Sequence, residues 1–113
     1  MRYELKKYLI EKYDGFKDRE HPSLGTYIFV KDFDEKIDKF LVNINAKTII
    51  KTTKNHWVVE INEELYRIII VNNCNLLGRR VHKAYIDDRL EDEIITDLIL
   101  PCMSYYCKEV KVF

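Results

Sequence analysis

The side chains with the widest chemical reach are three cysteines, Cys74, Cys102 and Cys107, and three histidines, His21, His56 and His82. A thiol beside an imidazole is the minimal nucleophilic pair, and the same two residue types hold zinc. Neither chemistry finds its spacing here. The nearest cysteines, Cys102 and Cys107, are separated by four residues, so no Cys-x-x-Cys pair forms, and no motif brings a thiol to an imidazole or supplies an oxyanion donor. The sequence therefore assigns no catalytic residue, no metal ligand and no cofactor. Three unevenly placed cysteines do not make a disulfide framework and read as free, mostly buried thiols.

Charge offers the next candidates. Arg79, Arg80, His82 and Lys83 present guanidinium, imidazole and ammonium groups in one short stretch, suited to phosphates, carboxylates or nucleic acid, with Lys47, Lys51 and Lys54 as an extension if their strand lies nearby. An ordinary solvated surface explains the same residues. Downstream, the charge of Asp87, Asp88, Glu91, Asp92, Glu93 and Asp97 is offset only by Arg89. They suit an acidic protein interface that imitates nucleic acid or complements a basic surface; equally, Asp87 and Asp88 can cap a helix whose first turns favour acids. Nothing in the spacing makes these carboxylates converge on a divalent metal. Tyr105 and Tyr106 are candidate aromatic contacts, since consecutive strand residues point to opposite faces and one of them is left for a surface.

The elements that must position these groups are clearest from Thr48 to Val71, which reads as two successive hairpins. A two-residue turn at Lys54 and Asn55 sets Thr52 opposite Trp57, Ile50 opposite Val59 and Thr48 opposite Ile61. A second turn at Glu63 and Glu64 sets Ile61 opposite Tyr66, Val59 opposite Ile68 and Trp57 opposite Ile70, with Glu60 facing Arg67 outside. This register gathers one apolar face, on which Trp57 and Tyr66 complete the core. Neither turn contains the Gly that the tightest turns favour.

On either side the pattern changes to helical periods. Tyr3 to Tyr13 places Leu5, Leu9 and Tyr13, with Tyr8 beside them, on one stripe, and Glu4, Lys7 and Glu11 toward water, ending at Asp14-Gly15. Thr26 to Val30 reads as a strand with Tyr27 and Phe29 on one face and Ile28 and Val30 on the other, and Asp32 or Asp34 caps a helix through Leu41, supported by the spacing of Ile37, Phe40 and Leu41. Arg79 to Ile86 fits strand or coil. Asp87 to Leu100 predicts a helix packed through Leu90, Ile94, Ile95 and Leu98 and stopped by Pro101, and Tyr105 to Phe113 a final strand. These elements predict an α+β fold: a single compact domain over residues 1–113, with a mainly antiparallel sheet containing two consecutive hairpins, packed by two or three helices.

Composition limits the function. With 47% hydrophobic and 34% charged residues the chain is not disordered, and its zero net charge lacks the signature of a DNA-coating protein. The charged amino-terminal segment does not resemble a secretory signal, and no apolar run approaches the roughly 20 residues of a membrane span. The expected location is cytoplasmic or otherwise intracellular, without a membrane partner. Segregated charge without a catalytic set predicts a protein-binding or inhibitory module acting by surface complementarity. The alternatives are a nucleic-acid-binding accessory protein using Arg79 to Lys83, and an uncharacterised small enzyme. A homodimer through a sheet edge, at Thr26 to Val30 or Tyr105 to Phe113, is a further expectation.

Overall fold

A computed structural model describes residues 1–14, 25–72, 76, 79–103 and 107–113. Its chain order is α1 (Tyr3–Asp14), β1 (Gly25–Val30), α2 (Glu35–Asn43), β2 (Ala46–Thr53), β3 (His56–Ile61), β4 (Glu64–Ile70), β5 (Val81–Ile86), a composite helix α3, and β6 (Glu109–Val112). Helix α3 starts as α-helix at Asp92–Ile94, widens to a π-helix over Ile95–Ile99 and returns to α-helix at Leu100–Met103. The expected single α+β domain is present, with three helices and one six-stranded sheet in the order β2-β3-β4-β1-β5-β6.

The sheet is mixed, which corrects the mainly antiparallel expectation. β2 and β3, and β3 and β4, pair antiparallel as two hairpins, whereas β1 lies parallel to both β4 and β5, and β5 parallel to β6. The physical cause lies in residues read earlier as an ordinary strand. From Tyr27 to Val30 every residue of β1 is buried, as a central parallel strand covered on both faces requires. Thr26 to Val30 is consequently paired on both sides and is not a free edge; the edges are β2 and β6.

Alternation divides the core into two. Tyr27 and Phe29 face α1 and α3, joining Leu9, Tyr13, Ile69, Ala84, Ile86, Ile95, Ile99 and Met103. Ile28 and Val30 face α2, joining Ile37, Leu41, Val59, Ile61 and Ile68. Helices therefore cover both sides of the central strands. In α1, Leu9 and Tyr13 are buried as their spacing predicts, but Tyr8 lies 49% exposed, beyond the stripe. Pro101 does not end α3. The Leu100 N–H donates to the Ile95 carbonyl one residue farther back than an α-helix would use. This wider turn just precedes the proline, which lacks an N–H and would crowd the carbonyl four residues back.

Both hairpins form with altered registers. The second turn falls at Asn62 and Glu63, both left-handed with φ 50° and 69°, as a two-residue hairpin turn of this hand requires. Val59 thus meets Tyr66, Trp57 meets Ile68, and Arg67 lies opposite Val58 instead of Glu60. A slide of two residues keeps every side chain on its expected face. The first hairpin turns at Lys54 and Asn55 as expected, and Thr53 meets His56. The register then shifts: Thr52 has no opposite residue, and its hydroxyl donates to the His56 carbonyl at 3.1 Å. Beyond that irregularity Ile49 takes the inward place opposite Val59, while Ile50 moves to the other face opposite Val58.

Candidate functional site

Two places concentrate polar or exposed groups. The first lies at the carboxyl ends of β1, β5 and β6, where α/β sheets commonly build ligand sites. β5 ends at Ile86, and the Asp87 N–H donates to the Phe29 carbonyl at 2.9 Å, fixing the next residue beneath the start of α2. The Asp87 side chain is fully buried. Its Oδ1 accepts from Lys36 Nζ at 2.9 Å and from the Arg89 N–H at 3.0 Å, and its Oδ2 from Arg89 Nη2 at 2.8 Å and the Lys31 N–H at 3.2 Å. Burial alone pushes this carboxyl up. The hydrogen bonds from the Arg89 side chain and N–H, from Lys36 and from Lys31 outweigh it and hold the group well below the usual carboxylate range.

The same cations tie neighbouring elements. Arg89 also pairs through Nη1 with Asp34 Oδ2 at 2.5 Å, and Lys36 with Asp88 Oδ1 at 2.7 Å and the Phe113 carbonyl at 3.2 Å. Asp34 occupies the residue before α2, as expected of a cap, but its carboxylate is committed to Arg89 and makes no capping hydrogen bond. Phe113 stacks on Phe40 with centroids 3.9 Å apart. The cluster is a clasp between β1, α2, β5 and β6. Its central carboxylate is saturated with donors and ionised, a poor starting state for a general base.

The second place is the outer wing formed by β2, β3 and β4. On the α2 side Val59 and Ile61 are buried and Phe33 stacks on Trp57 at 4.5 Å, while Ile49 of the outer strand stays 47% exposed. On the opposite side α1 and α3 gather residues of β1, β4, β5 and β6, and among the described residues their core includes none of β2 or β3. Ile50 and Leu65 stand 57% and 68% exposed there, beside half-buried Val58 and His56 and exposed Arg67. His56 is held below the ordinary imidazole value by burial first, then by the positive charges of Arg79 and Arg67.

The expected basic group is divided by the fold. Arg79 is half-buried with its guanidinium 5.7 Å from the Tyr27 ring centroid, and Arg80 is exposed. His82 is buried at 6%, whereas Lys83, one residue on, projects from the other face of β5 and is paired in register with Glu109. Arg79 therefore gathers with Arg67 and His56, a grouping that chain order hides. Lys51 lies over Trp57 at 5.6 Å on the opposite face of the wing.

The acidic run is divided as well. Asp87 and Asp88 belong to the clasp. Asp92 pairs with Arg2, fastening α3 to the start of α1, and the amino terminus donates to the Asp88 carbonyl at 2.7 Å. Glu91, Glu93 and Asp97 are exposed. An open groove of about 600 Å³ runs past Met1, Arg2, Arg89 and Asp92, with both charge signs on its walls.

Cys102 Sγ donates to the Leu76 carbonyl at 3.2 Å, and burial pushes its thiol up. Cys107 is fully buried and pushed up to about 12 by burial. Both shifts oppose the thiolate that nucleophilic attack needs. Among the described residues no three His, Cys, Asp or Glu are grouped to hold a metal ion. Tyr105, Tyr106, Cys74 and His21 lie outside the described residues. No described helix is long and apolar enough to cross a membrane. Comparison with protein-family models, curated proteins and solved structures finds no match.

Proposed function

We propose that the chain is a protein-binding module whose docking surface is the open face of β2, β3 and β4, and that it inhibits a partner whose working surface this face covers. One observation carries the reading: two large aliphatic side chains, Ile50 and Leu65, stand 57% and 68% exposed on a rigid sheet where the helical layer ends. An aliphatic patch on regular secondary structure offers a preorganised contact surface at little ordering cost. The nucleic-acid reading has less support, because Arg79, Arg80, His82 and Lys83 differ in burial and face. The enzyme reading draws on no activated thiol or free carboxylate pair among the described residues.

Photo-cross-linking tests the proposal. A benzophenone amino acid at position 65 is expected to give a discrete adduct in an extract of the native cells, competed by unlabelled protein and lost with Ile50→Asp. The same reagent at Lys39, on the exposed side of α2, serves as control. Identical adducts from both positions, or adducts that unlabelled protein does not compete, would refute it.

A further inference from the structure

The register places Ile50, Val58, Arg67 and Tyr27 in one row across β2, β3, β4 and β1. The row passes from aliphatic to cationic. Its aliphatic end is Ile50 and Val58, with Leu65 one step along β4; its cationic end is Arg67, followed by Tyr27 with Arg79 over the ring at 5.7 Å. His56 stands beside this end on β3, opposite Ile69. Among the described residues, the open face of these three strands carries one acid, half-buried Glu60.

We infer that this face receives an extended segment of a partner protein in which aliphatic and acidic side chains are interspersed, the former on Ile50, Val58 and Leu65 and the carboxylates on Arg67. The inference rests on the protein-binding reading and adds the chemistry of the occupant. Charge complementarity favours this occupant: the exposed Arg67 guanidinium beside an aliphatic strip, in the positive field to which Arg79 adds, matches an anion with an apolar neighbour, and a planar guanidinium fork suits carboxylates. A second copy fits poorly, since two such faces would bring the cations Arg67 and Arg79 of both copies together with, among the described residues of the open face, one acid on each, Glu60. Nucleic acid fits poorly as well. The Tyr27 ring is 6% exposed beneath Arg79 and the His56 ring is half-buried, so among the described residues the patch offers no fully exposed aromatic face to a base.

The probe is a fluorescein-labelled peptide of Val-Ser-Glu-Ser repeats (the Glu-Val peptide), whose extended form shows Val and Glu in turn along one side, titrated by anisotropy at low and physiological salt, with the corresponding Lys-for-Glu repeat (the Lys-Val peptide) and an oligothymidylate of similar length as comparisons. The Glu-Val peptide is expected to bind, more weakly as salt rises, and to shift the His56 ring signals in NMR spectra. Arg67→Glu should weaken it by about tenfold or more, and Ile50→Thr with Leu65→Ser by about fivefold, with the fold retained because all three side chains are exposed. Binding no tighter than that of the Lys-Val peptide, or indifference to Arg67→Glu, would overturn the inference. So would oligothymidylate binding of equal strength that depends on Arg67 but not on Ile50 and Leu65, which would identify a nucleic-acid surface. If the position-65 adduct forms while the Glu-Val peptide fails, the acidic occupant is wrong and the protein-binding reading stands. If the adduct is absent, both fall.

Discussion

Replacing Asp87 by Ala tests whether the clasp holds the strand ends together. The substitution removes the acceptor used by two backbone N–H groups, those of Lys31 and Arg89, and by the side chains of Lys36 and Arg89. Each N–H left without a partner costs about 1 kcal/mol. Removing one partner of a fully buried pair costs about 3–5 kcal/mol, but Lys36 and Arg89 are 34% and 33% exposed and keep Asp88 and Asp34, so their share is only about 1 kcal/mol. The sum is about 3 kcal/mol. With an unfolding entropy of about 2.1 cal/mol/K per residue, that lowers the melting temperature by roughly 12 °C. Asp88→Ala, which removes a 51% exposed partner of the same lysine, is expected to cost about 0.5 kcal/mol.

The pH dependence has a definite sign. The folded Asp87 carboxyl titrates well below its unfolded value of about 3.9. Its stabilisation is complete above the unfolded value and is lost as pH falls toward the folded one, so the gap between parent and Asp87→Ala narrows by about 1 kcal/mol between pH 7 and pH 3. Urea denaturation of the parent and both variants at the two pH values measures all of this. Equal costs for Asp87→Ala and Asp88→Ala, or a gap that widens at pH 3, would refute the clasp.

Glu63 is held at φ 69° in a turn where Gly is the favoured second residue, so Glu63→Gly should stabilise by about 0.5–1 kcal/mol, the relief of left-handed strain less the entropy of the freer chain; a lower urea midpoint would contradict this. The outer strand β2 exposes Lys47 and Lys51 along its length, and Val at both positions should promote self-association at concentrations where the parent does not associate. Light scattering over a concentration series decides that case, and an unchanged mass would show that the lysines do not guard the edge.

Local periodicity made much of this fold legible, and long-range pairing hid the rest. Leu9 and Tyr13 on α1, Ile37 and Leu41 on α2, and the opposed pairs Tyr27/Phe29 and Ile28/Val30 follow from spacing alone and occupy the core as read. The neighbours of β1 do not follow from spacing. A short apolar strand reads alike at an edge and at a centre, and only the unbroken apolar run, echoed by Ile68 to Ile70 in β4, signals burial on both faces. In α3 the proline suggested a stop because the local rule assumes an α-helical ladder, and the π-helical turn removes that assumption. The clasp is hidden in the sequence for a different reason. Asp34, Lys36, Asp87 and Arg89 belong to two charged stretches about fifty residues apart, and read separately each resembles a helix cap or a solvated surface.

The wing shows how one irregular residue changes what a sheet offers. Without the register shift at Thr52, Ile50 would face inward opposite Val59 and the open face would lose an aliphatic side chain; with it, Ile49 takes that place and Ile50 turns outward. The same shift has an opposite effect at the edge. β2 departs from regular pairing between Ala46 and Ile49 and again between Lys51 and Thr53, so only Ile49 to Lys51 keeps an unbroken register. That is too short a run, and too near Lys47 and Lys51, to template an added strand efficiently. A partner that approaches β2 along its edge therefore meets broken geometry and positive charge, whereas one that lies across the face meets Ile50 and then Val58 before reaching β4, where Leu65 and Arg67 stand side by side. Changes at Thr52 should accordingly act on both surfaces at once, closing the face as they regularise the edge.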